Sequence, residues 1–140
     1  SCVGYVEAPT MKVLLDTCAI IWGIAAPDEL SVKARSVLED PETEAYYCPM
    51  SCAEIAWAVA RKRVLLDRHW KLWFRHYVEM SGWECLPIGL DIVEEAYSLP
   101  EPFHADPVDR LLAATARIHD LHLITGDEKL IRYPHVRTIW

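Results

Sequence analysis

The sequence predicts an α/β fold in which a largely parallel β-sheet is covered by helices on both faces. Short apolar runs of strand length, such as MKVLLDT at 11–17 and LHLIT at 121–125, alternate along the chain with segments of helical period. Four acidic residues, Asp16, Glu54, Asp109 and Asp127, stand where the chain turns out of strands or into helices. In an open α/β sheet, ligands bind in the crevice beyond the carboxyl ends of the strands, so both observations describe one architecture.

The elements follow in order. MKVLLDT is a short buried strand ending at Asp16, and the stretch through Ile24 is a short helix before a turn at Pro27. Ser31 caps a helix carrying Val32, Ala34, Val37 and Leu38, which Asp40-Pro41 closes. Ala45 to Cys48 is the second strand, stopped at Pro49, and Ser51 is expected to cap the next helix, apolar apart from Glu54. Asp67 is expected to open a helix through Met80, in which Trp70, Trp73, Phe74 and Tyr77 share one face. Such a stripe is either core or a subunit contact.

Glu84 to Pro87 is a third strand, and Leu90 to Leu99 a helix ended by Pro100 and Pro102. The clearest helix, PVDRLLAATARIHD, begins at Asp106-Pro107. Leu121 to Thr125 is the fourth strand, Asp127 to Ile131 a short helix, and Val136 to Ile139 a last strand. Residues 1–10 lack periodicity and read as a leader or expression-derived segment, leaving 11–140 as one domain.

Composition excludes several classes. At 140 residues and 52% hydrophobic, the chain is long and apolar enough to bury a core without disulfides or metal staples. No apolar run approaches the ~20 residues of a membrane span, and no basic segment precedes a long apolar one, so a cytoplasmic location is expected. The five cysteines are odd in number and irregularly spaced, which suits free thiols in a reducing compartment. With 21 acidic against 14 basic residues, the net charge of −7 disfavours non-specific nucleic-acid binding. A carboxylate metal site would account for several of those charges, and its cation would invert the local field. Arg61, Lys62, Arg63, Arg68, Lys71 and Arg75 form a basic stretch in this acidic background.

Each acid has a structural and a chemical reading. Asp16 is a helix cap or a site ligand. Glu54, alone among Ala53, Ile55 and Ala56, either snorkels to solvent or is buried against a cation, because an unpaired buried carboxylate is costly. Asp106 precedes the first-turn Pro107 and is explained as a cap. Asp109 is only partly explained by the helix dipole and is the better metal candidate. Asp127 opens a helix after Gly126, with Thr125 placed to position a carboxylate or a water. His104 is a surface or packing residue, or a substrate contact. Carboxylates gathered from distant positions form an all-oxygen site suited to Mg²⁺ or Mn²⁺.

MKVLLDT, Glu54 in its apolar helix, and HADPVDRLLAATA followed by LITGDEKL together resemble the PIN-domain family, and within it the VapC-type toxins of toxin–antitoxin pairs. The resemblance implies a three-layer α/β/α sandwich and a Mg²⁺- or Mn²⁺-dependent endoribonuclease acting on a structured RNA such as tRNA or rRNA. It assigns Asp16, Glu54, Asp109 and Asp127 to catalysis, with Asp16 and Asp109 as direct metal ligands. It also implies a homodimer and a cognate antitoxin. Arg61 and Arg63 are candidates to hold the RNA backbone, or form only a solvated helix end. Two features depart from relatives: Cys18 follows the Asp-Thr pair, and Ala53 stands where many carry Trp before the Glu. The competing readings are a catalytically silent PIN-like module binding RNA or protein, and an Asp-nucleophile phosphatase built on Asp16. The second usually needs another Asp where this chain has Cys18.

Overall fold

The computed structural model describes residues 10–140; the leader expectation for the first residues falls on 1–9, outside them. Five strands, β1 (Lys12–Leu15), β2 (Glu44–Tyr47), β3 (Glu84–Cys85), β4 (His122–Ile124) and β5 (Thr138–Ile139), form one sheet in the order β3-β2-β1-β4-β5. Every pairing is parallel, with Val13 opposite Ala45 on one side and His122 on the other. Between them run α1 (Thr17–Ala25), α2 (Val32–Glu39), α3 (Pro49–Ala60), α4 (Trp70–Ser81), α5 (Leu90–Ala96), α6 (Pro107–Ile118) and α7 (Glu128–Arg132).

The strand order fixes the layers. From β1 the chain steps outward through β2 to β3, then returns past β1 to β4 and β5. Right-handed crossovers put the helices of the outward and returning paths on opposite faces. The core follows this division. Val13, Leu15 and Ile124 pack with Ile20, Ala34, Ile55 and Trp73 from α1–α4. Leu14 and Leu123, on the other side of the pleat, pack with Leu112, Ala113 and Ala116 of α6 and Leu130 of α7. The result is the three-layer α/β/α sandwich expected. Its strand order reverses between β1 and β4, and there the crevice for ligands opens.

Several boundaries differ from expectation: α5 ends at Ala96 rather than Leu99, and β3 and β5 are two residues each. Helix α3 starts two residues earlier than Ser51, because Pro49 takes the first helical position, where its fixed φ suits and no N–H is missed. Ser51 is therefore a fully buried residue inside the first turn rather than its cap. Helix α4 begins at Trp70, its cap His69 accepting the Lys71 N–H at 3.2 Å. Asp67 instead accepts the Tyr77 hydroxyl at 2.6 Å and pairs with Arg68. The segment before β2 also holds a 3-10 turn, Pro27–Glu29, where only a turn was expected. Among the described residues no helix is long and apolar enough to cross a membrane.

Candidate active site

The site is built at the carboxyl ends of β1 and β4. Asp16 leaves β1 and caps α1, its Oδ1 accepting the Ala19 N–H at 2.8 Å. It is 8% exposed, and its carboxyl is pushed up to about 6. Burial is the main cause and the nearby Asp109 and Glu54 add to it, while the Thr125 hydroxyl and the Ala19 N–H oppose it. Thr125, fully buried at the end of β4, also accepts the Asp127 N–H at 3.1 Å. Asp127 caps α7 with Oδ1, 2.9 Å from the Lys129 nitrogen.

Between Thr125 and Asp127 the backbone approaches the indole of Trp140 closely. A Cβ at Gly126 would stand 2.9 Å from its ring carbons. Only glycine allows the chain to carry Asp127 past that ring.

Helix α6 contributes Asp109. Asp106 is the cap, its Oδ1 accepting N–H bonds from Val108 at 2.9 Å and Asp109 at 3.1 Å. That leaves the Asp109 side chain free, and it meets His104 Nε2 at 2.6 Å. Burial pushes the Asp109 carboxyl up; His104 opposes this, while Asp106 and Asp127 add to it. Helix α3 contributes Glu54, whose Oε1 accepts the Thr17 hydroxyl. Thr17 Oγ1 also stands 3.1 Å from Ser51 Oγ. Burial raises the Glu54 carboxyl too, ahead of the opposing Thr17 hydrogen bond and of Asp106 and Asp109.

The four predicted acids therefore lie within electrostatic reach of one another. Oxygens of Asp109 and Asp127 and a nitrogen of His104 all fall within 4.8 Å of each other. Cys18 sits in the same field: although it keeps an exposed surface, desolvation first, then Asp16, Glu54, Asp127 and Asp109, push its thiol up to about 11. It is a protonated neighbour of the site rather than a nucleophile.

Among the described residues, none of the four acids pairs with Lys or Arg; His104 on Asp109 is the one ion-pair partner found. A buried Asp16 with acidic neighbours and no cationic side chain is costly unless a cation is supplied from outside. The donor set is mainly carboxylate oxygen, which fits Mg²⁺ or Mn²⁺.

Arg61 and Arg63 are not brought into this cluster. They follow the end of α3, with Arg61 about 10 Å along the axis from Glu54. Their guanidiniums lie 4.3 and 4.9 Å from the ring centre of the exposed Trp57. Thr17 and Ser51 were not legible as site residues. Their one signal is Thr17 following Asp16 directly, since the contacts of Thr17 with Ser51 and Glu54 join positions 34 and 37 residues apart through the tertiary fold. Cavity size does not locate the site either: a cavity of about 540 Å³ lined by Glu95, Arg117 and His135 contains none of the acids.

A family model for the PIN domain matches residues 13–136. The chain belongs to the PIN-domain family. This PIN domain is 32% identical over 130 residues to Ribonuclease VapC22 of Mycobacterium tuberculosis, covering 91% of this chain and 98% of that protein. Among solved structures it resembles a toxin–antitoxin complex from Klebsiella pneumoniae, with a TM-score of 0.62 and 20% identity over 91% of this chain and 96% of that one. It also resembles VapBC2 from Rickettsia felis, solved with a DNA fragment from the promoter, with a TM-score of 0.65 and 14% identity over 92% and 98% of the two chains. At those identities the structural likeness carries the fold alone.

Proposed function

We propose that this PIN domain, taken as one domain over 11–140, is a divalent-metal-dependent endoribonuclease and the toxin of a toxin–antitoxin pair. The observation that carries the reading is the gathering of Asp16, Glu54, Asp109 and Asp127 at the sheet's switch point, none of them in an ion pair with Lys or Arg among the described residues. The 32% identity to Ribonuclease VapC22 supports it. Asp16 and Asp109 are the residues to hold Mg²⁺ or Mn²⁺, with Asp127 beside them. When bound, such an ion lowers the pKa of a coordinated water and stabilises charge developing on the phosphate oxygens.

The chain's own residues supply the rest. The Thr17 hydroxyl fixes Glu54 through Oε1, leaving Oε2 to orient the attacking water and accept its proton. Thr125 ties the backbone of Asp127 to the end of β4, so two carboxylates keep their spacing through one hydroxyl. His104 holds Asp109 at the helix start. The substrate is a structured RNA such as tRNA or rRNA, cut in a single-stranded segment, and the location is cytoplasmic. The toxin acts as a homodimer, and a basic segment of the antitoxin would be drawn to the acidic crevice.

Purified protein incubated with total bacterial RNA is expected to give discrete fragments with Mg²⁺ or Mn²⁺. EDTA should abolish them, and Asp109→Asn should reduce them by at least ~100-fold, beyond what loss of an outer-shell partner costs. Metal binding without any cleavage would favour the silent-module reading.

Metal affinity should also follow pH. Since the Asp16 carboxyl is pushed up to about 6, protons compete with the metal at and below that pH. By calorimetry, Mn²⁺ affinity is expected to fall about tenfold per pH unit below pH ~6 and to level off above ~7. A flat profile between pH 5 and 7 would remove Asp16 from the ligand set.

A further inference from the structure

Against the carboxylates lies a cavity of about 310 Å³ whose lining includes Phe103, His104, Lys129, Arg132, Tyr133 and His135. Two bonds join it to the site. His104 Nε2 meets Asp109 at 2.6 Å, and the Lys129 N–H donates to Asp127 Oδ1 at 2.9 Å. A molecule in the cavity therefore touches residues that hold two of the acids.

Its walls combine rings and cations. The Phe103 and His104 rings stack at 4.5 Å and 21°, and Phe103 meets Tyr133 edge-on at 4.8 Å. Tyr133 in turn meets His135 at 5.4 Å and is anchored by its hydroxyl, which donates to the Pro100 carbonyl at 2.7 Å. Phe103 carries His104 on one side and lies 5.0 Å from the Arg110 guanidinium, so it is backing; the imidazole surface of His104 is what a ligand meets. Glu101, the acid in the lining, is already engaged by Arg110 at 3.2 Å and the Phe103 N–H at 2.9 Å.

Lys129 and Arg132 make no carboxylate ion pair among the described residues; Arg132 Nε donates only to the Glu128 carbonyl, at 3.2 Å. Lys71 and Arg75 line another cavity, also without carboxylate ion pairs among the described residues, so what sets Lys129 and Arg132 apart is their place beside the acids. They place positive charge directly next to the carboxylate cluster. A phosphodiester chain needs this juxtaposition: acids for the cation at the bond to be cut, and fixed cations for the neighbouring phosphate. At about 310 Å³ the cavity lies at the small end of ligand pockets, a size that suits one nucleotide.

We propose that this cavity is a nucleotide subsite. It takes one unstacked base of a single-stranded RNA against His104, and Lys129 and Arg132 hold the phosphate adjoining the scissile one. Base stacking on aromatic or imidazole rings is a common mode of single-strand recognition, and a one-base cavity beside the carboxylates selects what is cut. The inference rests on the ribonuclease reading above and names where its substrate sits.

The test is fluorescence anisotropy of a labelled single-stranded random hexaribonucleotide with the full chain, in EDTA so that no cleavage runs. Lys129→Ala with Arg132→Ala is expected to weaken binding at least ~10-fold at low salt and to reduce the slope of log affinity against log salt by roughly 0.7, the value for the one phosphate they hold. The charge-matched pair Lys12→Ala with Lys33→Ala should change affinity less than ~2-fold, since β1 begins at Lys12, at the far end of the sheet. In the unaltered protein, uridine or adenosine monophosphate should shift the imidazole NMR signals of His104 and His135.

Equal losses in both double variants would reduce the effect to bulk charge and overturn the subsite. Unmoved imidazole signals would do the same. Metal-dependent cleavage with wild-type behaviour of the Lys129/Arg132 variant sinks this inference alone. Lost hexamer binding in a protein that cuts no RNA keeps the subsite and sinks the catalytic reading.

Discussion

Asp16→Asn is expected to lower ribonuclease activity by ~1,000-fold or more, about 4 kcal/mol of barrier, while raising the melting temperature of the metal-free protein at pH 7.5. The two effects have one cause. Asp16 is 8% exposed, its carboxyl is pushed up to about 6, and Asp109 and Glu54 lie near it. In the unfolded chain the same group titrates near 3.9. The folded state therefore holds a proton that the unfolded state has released, and the stability this contributes is complete below pH ~4 and is lost as pH rises through ~6. At pH 7.5 the ionised group costs the metal-free fold roughly 3 kcal/mol. Asparagine keeps the cap, since its carbonyl still accepts the Ala19 N–H, and removes the charge.

Scanning calorimetry in EDTA should show the variant melting about 5 °C or more above the parent at pH 7.5. The gap should narrow about threefold by pH 4.5, where the parent's carboxyl is itself largely protonated in the fold. Adding Mn²⁺ should reverse the order, because only the parent gains the binding free energy. A variant that melts lower than the parent at both pH values would show that Asp16 is held by partners rather than strained by its neighbours.

This duality explains what could and could not be read from the chain. Asp16 and Asp127 each had a capping and a site reading, and the two are compatible because a carboxylate has two oxygens. In both residues Oδ1 serves the helix, and the side chain still faces the cluster. Asp106 and Asp109 separated by local rules alone, since Pro107 at the first helical position makes its predecessor the cap. The hydrogen bond from Thr17 to Glu54 and the neighbourhood of Cys18 required the third dimension. They join α1 to α3 across a crossover, and no periodicity records which residue of one faces which residue of the other. Boundaries failed where an early proline or a distant partner outweighed the nearest good cap, as at Ser51 and Asp67. The nucleotide-sized cavity was illegible for a similar reason: its walls come from the loop before α6 and from α7 and its sequel, 25 to 34 residues apart.

Trp73→Ala is expected to cost about 3–5 kcal/mol, enough to leave a domain of ordinary stability marginal or unfolded at 37 °C. The aromatic stripe of α4 had two readings, core or subunit contact, and burial divides it. Trp73 is 2% exposed and Phe74 5%, both in the cluster that holds Val13, Leu15 and Ile55, whereas Trp70 and Tyr77 are only partly covered. Removing the indole opens a void against the sheet face that carries α3, and α3 in turn carries Glu54. The neighbouring Leu72 is 63% exposed on the same helix, and Leu72→Ala should change stability by less than ~0.5 kcal/mol. Urea titration of both variants with and without Mn²⁺ separates packing from the site. Trp73→Ala should regain part of its loss in Mn²⁺, since metal binds only the folded arrangement of acids drawn from β1, α3, α6 and β4. A Trp73→Ala protein as stable as Leu72→Ala would mean that the sheet's outward face does not depend on α4, and that the stripe serves a partner instead.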